Sequence, residues 1–106
     1  MTERKVPSRL FNDLVKRYPA VFDIHEKLGT EIKNAGPLQE KTLQLIQLGA
    51  AAAAGSEGAV HSHTRRALAA GASKDEVYHA LLSLMSTIGF PNCMAAISWS
   101  RDILED

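Results

Sequence analysis

Apolar residues in this chain recur at spacings of three and four, and no run of β-branched residues alternates with polar ones. That pattern excludes strands and predicts helices throughout. Glycine and proline punctuate it. Leu10, Phe11, Leu14 and Val15 share a face of a first helix predicted over Ser8 to Arg17, and Pro19 opens a second that stops at Gly36. Pro37 starts a third, which runs to Gly55 with a polar stripe of Glu40, Gln44 and Gln47. Ser56 caps a fourth, from Glu57 to about Ala70. Ser73 and Glu76 have capping-box spacing before a fifth, whose stripe of Val77, Ala80, Leu81, Leu84, Met85 and Ile88 ends at Gly89. Pro91 begins a sixth that reaches Leu104. The expectation is an all-α chain of about six helices with short connections.

At 106 residues the chain has room for a single domain, 1–106. Twelve basic residues balance twelve acidic ones, so a nucleic-acid partner is not expected. The longest apolar stretch, Leu48 to Gly55, is far short of a membrane span. No apolar segment follows the first charges, which predicts a cytoplasmic protein. Cys93 is the only cysteine, which excludes an internal disulfide, a CxxC pair and a cysteine-rich zinc site. Fifteen alanines and only 6% aromatics give each chain little apolar area to bury. Part of the core is therefore expected to be completed by a second subunit, and a homo-oligomer follows.

His63 is the leading candidate for chemistry, because it shares a helix face with the small apolar Ala59, Val60 and Ala67. The bland alternative is a buried histidine bonded to a backbone carbonyl. His61 and His63 resemble a metal pair, but on a helix they stand about 200° apart, so no metal ligand is assigned. Glu57 either complements the helix dipole or holds a histidine or a substrate proton. Arg65 and Arg66 form a solvated face or clamp a carboxylate. Cys93, in the first turn of the last helix, is either a packed hydrophobe or a reactive thiolate.

Four segments taken together resemble the carboxymuconolactone decarboxylase family, whose superfamily includes the alkylhydroperoxidase AhpD proteins. They are Pro37-Leu-Gln-Glu-Lys-Thr-Leu-Gln-Leu-Ile46, Gly55-Ser-Glu-Gly-Ala-Val-His-Ser-His63, Ala67-Leu-Ala-Ala-Gly-Ala-Ser-Lys-Asp-Glu-Val77 and Gly89-Phe-Pro91. The likeness runs from about Pro19 to Trp99. It implies an all-helical AhpD-like fold assembled into homotrimers or homohexamers, with sites near subunit boundaries.

The resemblance also implies two chemistries. The AhpD-like branch reduces peroxides with a CxxC pair, a histidine four residues beyond the second cysteine, and an upstream glutamate. Alignment on His63 puts Ser56 and Ala59 at the cysteine positions and Gln44 at the glutamate position. A disulfide-forming peroxidase needs an attacking thiolate and a resolving thiol, and neither position supplies one. The decarboxylase branch loses carbon dioxide from a lactone acid without a cofactor, which needs a placed proton donor and stabilisation of enolate-like charge. On that likeness His63 is the expected acid/base and Glu57 its orienting partner, with Arg65, Arg66 and Gln44 contacting a small carboxylate or lactone. Two alternatives stay open: a thiol-dependent oxidoreductase working through Cys93, and a non-catalytic ligand-binding oligomer.

Overall fold

The computed structural model describes residues 8–106, in which every regular element is a helix. The chain divides into two compact units. The first holds α1 (Ser8–Arg17) and α2 (Pro19–Asn34). Pro19 occupies the first turn of α2, where its missing N–H costs nothing. Phe11 and Phe22 tie the pair together edge to face, with ring centroids 5.6 Å apart. Gly29 does not interrupt α2. Val21, Ile24, Leu28 and Ile32 along α2 are each more than half exposed.

The second unit, Gln39–Asp106, contains α3 (Glu40–Ala54), α4 (Glu57–Ala69), α5 (Lys74–Leu82), the single turn α6 (Met85–Ile88) and α7 (Phe90–Leu104). Helix α4 packs against α3 and α7, and α5 packs against α7 and α3. Its core is built from Leu48, Ala51 and Ala52 of α3, Val60 and Ala67 of α4, Val77 and Leu81 of α5, and Ala96 and Leu104 of α7. The alanines leave room for neighbouring backbones to come close, and they favour the helix as well.

The α3–α4 corner is fixed by local chemistry. Gly55 takes the left-handed conformation (φ 69°, ψ 28°), and its N–H and that of Ser56 return to the last carbonyls of α3. The Ser56 hydroxyl then accepts from the Ala59 N–H at 3.3 Å and starts α4. The capping box before α5 also forms: Ser73 N–H donates to Glu76 Oε1 at 2.9 Å, and Glu76 N–H to Ser73 Oγ at 3.0 Å.

Two boundaries differ from the sequence expectation. Helix α3 starts at Glu40 rather than Pro37, because Gln39 is extended (φ −72°, ψ 157°) and serves as its cap. The predicted fifth helix is broken at Ser83 and Leu84 into α5 and α6. The Ser83 hydroxyl donates to the Ala80 carbonyl at 2.6 Å, a side-chain bond that competes with the helical ladder at this point.

Candidate functional site

Helix α4 carries two histidines that look in opposite directions. Positions two apart on a helix differ by about 200° in azimuth, and the partners of the two rings confirm it. His63 meets α3, whereas His61 meets α7.

On the α3 side, His63 Nδ1 lies 2.8 Å from Gln44 Oε1, and Gln44 Nε2 donates to Glu40 Oε2 at 2.8 Å. Glu40 and Gln44 are one helical turn apart, so both side chains rise on the same face of α3. The direction of this chain follows from what each group can do. An ionised carboxylate only accepts, so Gln44 turns its amide nitrogen to Glu40 and its oxygen to His63. An amide oxygen also only accepts, so the bonded Nδ1 must carry a proton. In the neutral ring the lone pair is then on Nε2. Burial, and secondarily the charge of Arg66, hold the His63 imidazole below the usual histidine range. At neutral pH the ring is thus an uncharged base of fixed tautomer. Once protonated at Nε2, it gives the proton up readily.

On the α7 side, His61 is almost wholly buried, with its Nε2 3.0 Å from Asp102 Oδ2 and 3.9 Å from Glu57 Oε2. Next to it, Thr64 Oγ1 and Ser100 Oγ share a fully buried 2.7 Å hydrogen bond between the same two helices.

Over residues 19–102 the sequence matches the carboxymuconolactone decarboxylase family, from the first residue of α2 into α7. The chain belongs to the carboxymuconolactone decarboxylase family. No curated protein and no solved structure matches it at a significant level.

Within this family member, the residues singled out from sequence divide between the two faces. His63 and Gln44 are brought together. Arg66, exposed and three residues on from His63, lies near enough for its charge to act on the ring. Glu57 is not the partner of His63. Six residues carry it about 240° around the helix from His63, and its carboxylate faces His61 instead. Arg65, four residues beyond His61, also falls on the His61 side by helical spacing.

At the positions where AhpD-like relatives carry thiols, the Ser56 oxygen is engaged as a helix cap and Ala59 has no reactive group. Cys93 is fully buried and its Sγ donates to the Leu81 carbonyl at 3.2 Å, so it behaves as a small packed residue. Sequence reasoning assigned no site role to Glu40, His61 or Asp102, although helical spacing sets Glu40 one turn from Gln44 and His61 one turn from Glu57.

Proposed function

We propose that this member of the carboxymuconolactone decarboxylase family is a small-molecule lyase that acts on a lactone or carboxylate, with His63 as its acid/base. The observation that carries the reading is the hydrogen-bonded chain Glu40–Gln44–His63, which fixes the ring and directs its lone pair to Nε2. Loss of carbon dioxide from a carboxylate leaves an electron pair on carbon and takes up one proton. His63 Nε2 collects that proton from solvent and delivers it to the carbon, returning to the neutral ring that burial favours. Arg66 supplies positive charge for a carboxylate on the substrate. No cofactor is required for these steps. Glu57 has no role in them, because it faces the other side of α4.

Self-association belongs to the same reading. An open, mostly apolar groove of about 420 Å³ lies between Thr42, Leu45, Ile46 and Gly49 of α3 and Ala80, Ser83 and Leu84. It occupies the side of α3 away from Gln44, so His63 gains no enclosure from it. A second copy closing over His63, in a homotrimer or homohexamer, supplies the missing wall. The predicted cytoplasmic location fits a chain in which no described helix is long and apolar enough to cross a membrane.

The test is a thermal-shift screen of lactones, muconates and other small acids, followed by turnover of the compounds that stabilise the protein. His63→Ala is expected to lower turnover by about 10²- to 10⁴-fold, the usual range for a general acid/base. Unchanged turnover in His63→Ala overturns the assignment. Light scattering checks the assembly, and a monomer at micromolar concentration contradicts it.

A further inference from the structure

The opposite face of α4 holds a group of side chains that the chemistry of His63 leaves unused. Glu57 and His61 are one turn apart on α4, and Asp102 reaches them from α7. One potential ligand atom from each lies within 4.8 Å of the other two. The His61 side chain is 3% exposed, while Glu57 and Asp102 are 35% and 32% exposed. The cluster is therefore anchored on a buried nitrogen and opens to solvent on its carboxylate side.

Its proton arithmetic is unusual. His61 Nε2 carries at most one hydrogen, and Asp102 at 3.0 Å is placed to take it. The Glu57 oxygen, 3.9 Å from the same nitrogen, is beyond hydrogen-bond reach of it but well within reach of a shared ion. Metal–ligand bonds of about 2.1 Å in a tetrahedral arrangement place ligand atoms roughly 3.4 Å apart. The observed 3.0 and 3.9 Å bracket that spacing, and all three ligand atoms lie within 4.8 Å of one another.

We propose that Glu57, His61 and Asp102 form a binding site for a divalent transition-metal ion of the zinc class, with the remaining position open to water. One imidazole nitrogen with two carboxylates suits zinc, cobalt, manganese or iron(II). Magnesium and calcium favour all-oxygen sets. Binding uses the Nε2 lone pair: a neutral ring coordinates with its single hydrogen on Nδ1, whereas an imidazolium first gives its Nε2 hydrogen to solvent, and one metal–nitrogen and two metal–oxygen bonds form. No redox change is involved. The ion clamps α4 to α7, on the side of α4 facing away from His63, and the site stands whether or not His63 is an acid/base.

The experiment uses the full, tag-free chain, stripped with EDTA, dialysed and titrated with zinc chloride while bound metal and melting temperature are measured. One ion per chain is expected, together with a rise in melting temperature. His61→Gln and Asp102→Asn should each weaken binding by about tenfold or more, whereas His25→Gln and His79→Gln leave it unchanged. Cobalt in place of zinc should give visible absorption bands that vanish in His61→Gln. Should His61→Gln fail to fold by circular dichroism, Asp102→Asn and Glu57→Gln carry the test, since both side chains sit partly in solvent. Substoichiometric binding by the unaltered chain, or full binding by the folded ligand variants, overturns the site.

Discussion

Replacing Gln44 by glutamate tests the geometry around His63 directly. The amide oxygen 2.8 Å from Nδ1 becomes part of a carboxylate, and the donor that served Glu40 is lost. Two unit charges about 4 Å apart attract by about 1 kcal/mol in bulk water and about 4 kcal/mol at an effective dielectric of about 20. His63 is only partly buried, so solvent screening keeps the gain near the lower end, at about 1–2 kcal/mol. That stabilises the imidazolium by roughly 5- to 30-fold, since about 1.4 kcal/mol is tenfold.

The consequence for stability has a definite sign. In the unaltered chain the folded-state pKa of His63 is lowered. The unfolded state therefore binds the proton more tightly, and the contribution of this residue is present above about pH 6.5 and lost as pH falls through the folded value. In Gln44→Glu the new carboxylate raises the folded value from that lowered position. Relative to the unaltered chain the variant is therefore stabilised at low pH, and it loses that gain as pH rises through the folded values. Repulsion between Glu40 and the new carboxylate, unrelieved once the ring is neutral, acts in the same direction. Urea unfolding of both proteins between pH 5.5 and 8, in EDTA, should show a difference in stability that changes steadily against the variant as pH rises. Proton NMR of the His63 ring should show an upward shift of its titration. An unmoved or lowered titration would refute the Gln44–His63 contact and the relay built on it.

Two further outcomes follow from buried groups. Thr64→Val and Ser100→Ala each strand a hydroxyl in the α4–α7 interface, at about 1–3 kcal/mol each, reduced where the remaining hydroxyl can turn to a carbonyl of its own helix. The double variant should lose clearly less than the sum in a double-mutant cycle, and strict additivity would argue against the shared bond. Cys93 should react with a thiol reagent such as DTNB only when denaturant is added; a full equivalent of reaction in the native state would contradict its burial.

Much of the helical framework was legible because its stops are written in single residues. Gly55, Ser56, Ser73 and Gly89 each mark a boundary through a local conformational or capping preference, and the helix ends fall at or beside them. The break after Leu82 was hidden because Ser83 interrupts a stripe whose apolar period continues unchanged to Ile88. For the site, the small apolar face around His63 and the likeness that pointed to Gln44 were legible, whereas Glu40, one turn from Gln44, was not singled out. Glu57 was assigned to the wrong histidine, although the azimuth argument that separates His61 from His63 also places Glu57 beside His61. Asp102 lies 41 residues from His61, and only the packing of α7 on α4 brings them together. No local pattern encodes that meeting.

One helix, α4, therefore works like an axle with an imidazole spoke on either side. Any twist or slide that improves the fit of one spoke displaces the other, so a substitution selected for one side will be felt across the axle. Mutational surveys of this chain should find such cross-talk between the α3 and α7 faces even where no atoms touch.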